Sequence, residues 1–273
     1  GRVFAPGAPG ELPVETRHLD MYHTFATELD KTWQGLGFGA TPVEDALEVV
    51  GIVRGVDRDT LVREPSVMTV INTNSPLRLD GPMGDGLIQM ALHGQPVVAT
   101  PFTLAGAMSV VSLAGAIAQQ NAEALFLVAL SQIVRPGAPM VYGAFTSNVD
   151  MRSGAPAFGT PENAKANVAS GQLARRYRLP YRTSNASASN VADAQGAYET
   201  QMSLWGALLG GGNLVYHAAG WQEGGLTASF EKFILDVEML QMMMEFLQPM
   251  VVDEASLGFE AIRRVLLLPG VLP

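Results

Sequence analysis

The sequence predicts an α/β protein built as a TIM (β/α)8 barrel, incomplete in this chain, with about six βα units visible. Three observations point there. Short β-rich runs recur along the 273 residues, each followed by a helical pattern. The runs start at 33, 67, 96, 139, 181 and 213, so their spacings are 34, 29, 43, 42 and 32 residues, the size of a strand–helix–strand unit. The runs are also apolar on both faces, as parallel strands covered by helices must be. The competing architecture is a doubly wound sheet, whose usual signature is a Gly-rich turn after a strand. Here the triplet Gly210-Gly211-Gly212 precedes its strand, which suits a helix C-cap and tight turn instead.

Taken in order, residues 1–31 read as a Pro/Gly-rich loop leading into a helix over Glu15–Leu29, one that would follow a strand upstream. Residues 32–260 form the barrel portion and 261–273 a tail. Within the barrel, Trp33–Phe38 is a weak strand, and Thr41-Pro42 opens a helix with Glu44 and Asp45 at its positive end. The clear strands are Val67–Ile71, Pro96–Thr100, Pro139–Phe145 and Asn213–His217, with Tyr181–Ser184 weaker. Thr160-Pro161-Glu162 starts a helix running to about Tyr177, and Arg175, Arg176 and Arg178 favour its C-terminal end. A last long helix spans about Thr227 to Leu247, with Phe230, Phe233, Ile234, Val237 and Leu240 as its apolar stripe. Its Met242-Met243-Met244 run projects in several directions, which predicts cover on more than one side.

Composition narrows the class. Only 16% of residues are charged, 48% are hydrophobic, the formal charge is −9, and there are four His and no Cys. Disorder needs the reverse balance, a disulfide scaffold needs Cys, and a nucleic-acid binder normally carries a basic balance. Two runs, Gln95–Ala122 and Gln201–Gln222, hold no Asp, Glu, Lys or Arg. Each is interrupted by Pro, Gly or amides, so a buried strand joined to a buried helix is expected, not a membrane span. No apolar leader follows a basic start, so a cytoplasmic location is expected. The low charge predicts a large apolar interface, either with a copy of this chain in a homo-oligomer or with an upstream portion of the barrel.

In a barrel, function sits at the C-terminal ends of the strands. Those positions offer Asn74 after the strand at 67, Phe102 after that at 96, and Phe145, Asn148 and Asp150 after that at 139. Asn185 follows the strand at 181, and His217, Trp221 and Glu223 follow that at 213. A rim of amides, carboxylates and aromatics suits a small polar or charged ligand, and the aromatics suit a quaternary ammonium. Each residue also has a plainer alternative: Asn and Ser clusters form turns, and His217 can be a satisfied core histidine. With no Cys and no His pair at i, i+4, zinc has no ligand set, so no metal site is assigned.

At these same segments the sequence resembles the trimethylamine methyltransferase family, which includes glycine betaine:corrinoid methyltransferases. The matching stretches are INTNSPLRLD at 71–80, GQPVVATPFTLAGAMSVVSLAGAIAQQNAEAL at 94–125, RPGAPMVYGAFTSNVDMRSGAPAFGTPE at 135–162, GQLARRYRLPYR at 171–182 and HAAGWQEGGLTASFEKFILDVEML at 217–240. Family members are roughly twice as long, and the resemblance is to their C-terminal portion. The resemblance implies a TIM barrel that moves a methyl group from a methylated amine to the Co(I) of a corrinoid protein. Some members carry pyrrolysine; this chain has only standard residues, which points to the branch using quaternary amines such as glycine betaine. No cofactor is then bound directly, since the cobalamin is carried by the partner protein. On this reading Phe102, Phe145 and Trp221 face the ammonium, and Asp150 and Glu223 add negative potential. Asn74, Asn148 and Asn185 belong to the binding set, and His217, Asp150 and Glu223 are the candidate catalytic residues. The alternative is a truncated, inactive barrel serving as a binding or assembly module.

Overall fold

Strand and helix alternate along most of the computed structural model, which describes residues 2–3 and 10–266. In order, the chain forms β1 (Arg2–Val3), α1 (Arg17–Glu28), β2 (Thr32–Trp33), α2 (Ala40–Arg54), α3 (Arg58–Arg63), β3 (Thr69–Ile71), α4 (Gly81–Leu92), β4 (Val97–Ala99) and β5 (Phe102–Ala105). Then come α5 (Leu113–Val134), β6 (Met140–Gly143), β7 (Phe145–Asn148), α6 (Pro161–Tyr177), β8 (Tyr181–Ser184), α7 (Ala194–Leu209) and β9 (Leu214–Tyr216). Last are β10 (Trp221–Gln222), a 3-10 turn at Glu223–Gly225, β11 (Thr227–Ala228), α8 (Phe230–Phe246), α9 (Glu254–Leu257) and α10 (Phe259–Leu266). The helix starts are set by side-chain caps: Asp80, Ser112, Thr160 and Asp193 each accept a backbone N–H three residues on.

The main sheet has five strands in the order β3-β4-β6-β8-β9, all parallel. It is a curled half-barrel flanked by helices, in keeping with an incomplete TIM-like barrel. A parallel bridge from Gln34 to Met68 attaches the β2 segment beside β3. Across the interior, Tyr216 on β9 donates to Gln34 Oε1 at 2.5 Å, so side chains link the two ends of the curled sheet where backbone pairing does not. Two strands are longer than one ladder. After Thr100-Pro101 and after Ala144 the chain re-pairs as β5 and β7, with Phe102 opposite Phe145. That second ladder lifts both aromatics to the mouth.

The core behind β2, β3 and β4 is aliphatic and aromatic, with Tyr22, Val43, Leu47, Leu61, Ile71, Leu87, Met90 and Val97 buried together. Full burial of such side chains stabilises by about 1.5–3 kcal/mol each. Among the described residues one helix, α5, is long and apolar enough to cross a membrane by length and composition. Its Gln120 and Glu123 are buried and hydrogen-bonded to Tyr142, Thr73 and Ser75, so one face of the helix packs on the sheet.

Some expectations are corrected. The strand expected over Trp33–Phe38 is only Thr32–Trp33 and the Gln34 bridge, because Gly35, Gly37 and Gly39 break up the β-rich run. The apolar stripe of the last helix does not face the core: Phe230, Phe233 and Ile234 are exposed. The inward residues are Lys232 and Asp236, a buried ion pair that also engages Thr200 and the Gly220 N–H. Those polar partners turn the polar side of the helix inward. Met242 and Met244 are exposed and Met243 is buried, so that run is not covered on several sides. By its contacts the chain divides into Gly1–Asp236 and Val237–Pro273. Of the tail assigned to 261–273, residues 261–266 belong to α10 and 267–273 lie outside the described residues.

Candidate active site at the mouth of the half-barrel

The C-terminal ends of the strands open on a cleft of about 850 Å³. Its wall takes Gln34, Asn72, Thr100, Phe102, Phe145, Arg182, Tyr216 and His217 from the strands or the residues just beyond them. Arg17, His18 and Phe25 of α1 line it as well, as do Gly224 and Gly225 of the 3-10 turn. Among the described residues, no Asp or Glu lines this cleft. Nor do the described residues hold a group of three or more His, Cys, Asp or Glu placed to share a metal ion.

The aromatics form one continuous cluster. Phe102 and Phe145 lie 5.0 Å apart between ring centroids, and Phe145 stacks on buried Phe158 at 4.6 Å and 6°. His217 lies 5.2 Å from Phe145, and Trp221 meets the His217 ring edge-on at 5.3 Å and 84°. His217 takes φ of 53°, in the left-handed region, which aims its ring from the strand end toward Phe145 and Trp221. Burial and the neighbouring Arg182 charge push the His217 pKa down to about 3, so the ring is neutral near pH 7.

Arg182 sits at the centre of this cluster and is 2% exposed. Its guanidinium carbon lies 4.5 Å from the Tyr216 ring centroid and 5.4 Å from that of Phe145, both cation–π contacts. Nη1 donates to the Ala144 carbonyl at 3.3 Å, while Nε is buried without a hydrogen-bond partner. Burial lowers its pKa to about 10, which leaves it charged at neutral pH.

The loops around the mouth are held by buried carboxylates on the helices behind. Glu123 of α5 accepts from Thr73 and Ser75 hydroxyls, the Leu77 N–H and Gln119. Burial would raise its pKa, but those hydrogen bonds outweigh burial and hold it below the usual value. Glu199 of α7 holds the next loop, accepting from Ser187, the Ala188 and Ser189 N–H groups and Gln195.

Of the nine residues singled out from sequence, Phe102, Phe145 and His217 meet on the cleft wall, and Trp221 packs on His217 behind it. The others lie elsewhere. Asn74 is exposed and accepts the Asp80 N–H within its own turn. Asn148 accepts the Thr160 hydroxyl and so helps start α6. Asn185 ties β8 to the Ala218 carbonyl at 3.1 Å. Asp150 is exposed and gives its oxygens to the Arg152 N–H and the Ser153 hydroxyl, which hold its pKa low. Glu223 is half-buried in the 3-10 turn, with φ of 51°. Sequence reasoning passed over Arg182, Tyr216 and Gln34. The signal for Arg182 was there: a cation in the middle of a strand expected to be covered on both faces.

A family model described as trimethylamine methyltransferase (MTTB) matches residues 4–268. A glycine betaine methyltransferase of Desulfitobacterium hafniense is 36% identical over 94% of this chain and 54% of that protein. A trimethylamine methyltransferase of Methanosarcina mazei is 30% identical over 93% of this chain and 53% of that protein. The chain thus spans about half the length of the curated relatives it matches.

Proposed function

The chain belongs to the trimethylamine methyltransferase family, and we propose that its cleft binds a quaternary methylated amine of the glycine betaine type and gives one methyl group to the Co(I) of a separate corrinoid protein. The corrinoid is a co-substrate on this reading, and no residue of this chain is assigned to hold it. The observation that carries the proposal is the Phe102–Phe145 pair with the neutral ring of His217 beside it. Aromatic faces attract a quaternary ammonium without hydrogen-bonding it, since it has no N–H to donate.

The chemistry fits such a wall. Attack on a methyl carbon forms the new bond as the C–N bond breaks, and the electron pair stays on nitrogen. The positive nitrogen becomes neutral, so the amine departs without a proton. No general acid is required, and His217, with a pKa of about 3, is not one at neutral pH. The protein contributes position and electrostatics. Phe102 and Phe145, in contact with each other, form a wall on one side of the ammonium, and His217, fixed between Phe145 and Trp221, sets its depth. The same proposal places the protein in the cytoplasm as a homo-oligomer, supported by exposed apolar side chains such as Ile52, Val111 and Ile133.

The test is spectroscopic. The protein is mixed with its reduced corrinoid protein and glycine betaine, and the corrinoid spectrum is followed. Conversion to the methylated form, with one dimethylglycine released per methyl moved, is expected. No conversion with any quaternary or tertiary methylamine would remove the assignment and leave the inactive-barrel reading.

A further inference from the structure

Resting on that reading of the cleft, we propose that Arg182 is the anchor for a substrate carboxylate, so that the site selects betaines over quaternary amines lacking an acid group. The guanidinium is buried in the half-barrel, yet no Asp or Glu pairs with it among the described residues. A buried charge is normally paired, and arginine is the residue suited to a two-pronged grip on a carboxylate. Here Nε has no partner and Nη1 has only the Ala144 carbonyl at 3.3 Å, so donors remain for an incoming anion. Tyr216 and Phe145 hold the head from their ring faces, and Gln34 fixes the Tyr216 hydroxyl at 2.5 Å.

The placement also suits a short zwitterion. Phe145 is shared: it lies 5.0 Å from Phe102 in the ammonium wall and 5.4 Å from the Arg182 head. A substrate with its positive nitrogen at Phe102 and its carboxylate one methylene away keeps both charges within reach of the one ring that touches both partners. A quaternary amine without an acid group meets the same uncompensated cation and is repelled. Among the described residues, the cleft wall carries Arg17 as well as Arg182 and no lining carboxylate to offset them.

Binding of three probes separates the parts. Glycine betaine carries both charges, 3,3-dimethylbutanoate keeps the shape and the carboxylate with a neutral tert-butyl group, and choline keeps the ammonium alone. Titration calorimetry on the wild-type protein is expected to rank betaine first, with choline at least about tenfold weaker. In Arg182→Gln, checked for folding by circular dichroism, betaine and 3,3-dimethylbutanoate weaken by about 10- to 100-fold, the range for a hydrogen bond to a charged group. Choline binding stays level or tightens. Arg182→Lys recovers part of the loss, since it restores the charge without the fork.

Choline binding the wild type as well as betaine does, or weakening in Arg182→Gln as much as betaine does, overturns the carboxylate anchor and leaves the ammonium wall standing. Arg182-dependent binding of 3,3-dimethylbutanoate with neither ammonium compound bound supports the anchor and overturns the quaternary-amine reading. Binding of none of the three by the wild type overturns both.

Discussion

The two halves of the curled sheet are backed by different materials. Behind β2, β3 and β4 the helices supply large apolar side chains, among them Tyr22, Leu47, Leu61, Leu87 and Met90. Behind β6, β8 and β9 the buried positions of α6 and α7 are mostly small or polar: Asn163, Ala166, Asn167, Ser170, Gly171 and Ala174, then Ser203, Gly206 and Ala207. That second half is laced by directional contacts. Ser170 donates to Gln120 at 2.8 Å, Gln120 to Tyr142 at 2.9 Å, Asn163 to the Thr146 carbonyl at 3.1 Å and Tyr181 to the Asn167 carbonyl at 2.9 Å. Apolar packing is non-directional and tolerates small shifts, whereas a hydrogen-bonded layer specifies position. The second half carries Arg182, Tyr216 and His217, where position matters most.

The sharpest way to break that contrast is to remove one charge from the second half. Lys232 donates to the Thr200 hydroxyl at 2.6 Å and pairs with Asp236, whose other oxygen takes the Gly220 N–H at 2.8 Å. Lys232→Met strands a buried carboxylate and is expected to cost about 3–5 kcal/mol. The double variant Lys232→Met with Asp236→Leu should regain most of that, because neither charge is then left alone. Denaturant unfolding of both reads the outcome. A cost under about 1 kcal/mol for the single variant would mean the pair holds nothing.

In the first half, the comparable change is the loss of a large side chain. Leu87 is fully buried in the aliphatic cluster, and Leu87→Ala should cost about 3 kcal/mol by lost transfer energy and the cavity left behind. No charge or hydrogen bond is involved there, so the loss should change little between pH 6 and 8. Unfolding curves at both ends of that range check it.

A matched pair of glycine substitutions contrasts the halves with opposite signs. In α4, a Cβ on Gly84 would meet only Leu79 at 3.6 Å, an ordinary contact, so Gly84→Ala should stabilise by about 0.5–1 kcal/mol through helix propensity. In α6, a Cβ on Gly171 would lie 1.9 Å from the Gly210 carbonyl oxygen, a backbone atom. Gly171→Ala therefore forces the helix away from the turn before β9 and should destabilise by about 2 kcal/mol. Equal signs from thermal unfolding of the two variants would refute the contrast.

Much of the architecture is legible in the sequence because a parallel strand covered on both faces leaves a run such as PVVAT or PMVYGAF that little else produces. The helix starts at Thr160-Pro161 and the Gly210 turn are legible for the same local reason, capping chemistry. The inward face of α8 is not. Its apolar stripe predicts one orientation, while a single Lys–Asp pair, meaningful only beside Thr200 and Gly220, imposes another. The site divides likewise. Phe102, Phe145 and His217 are found by the strand-end rule, which is topological. Asn74, Asn148 and Asp150 satisfy the same rule, yet their side chains serve their own loops, because short polar groups after a strand bond first to nearby backbone and hydroxyls. Arg182 lies within its strand, where that rule does not look.

The smallest expected effect isolates the histidines, which have opposite surroundings in the two halves. In the first half His18 and His93 face carboxylates, Asp45 and Glu44, each at 2.7 Å. In the second, His217 faces the Arg182 cation, and burial together with that charge lowers its pKa to about 3 against an ordinary value near 6.5. The folded-state value lies below the unfolded one, so between pH 6.5 and 3 the unfolded chain binds the extra proton. The stability tied to a neutral His217 is therefore complete above about pH 6.5 and is lost as pH falls toward 3. By pH 5.5 the loss should reach about 1 kcal/mol. Because the chain carries other histidines and many carboxylates, the readout is a difference. The wild type should lose about 1 kcal/mol more than His217→Phe between pH 7.5 and 5.5 in urea unfolding. Arg182→Gln should make that difference smaller, since one of the two causes of the shift is gone. A wild type and His217→Phe that fall in parallel would show that the ring takes up its proton as freely folded as unfolded, and the neutral wall for an ammonium would be lost with it.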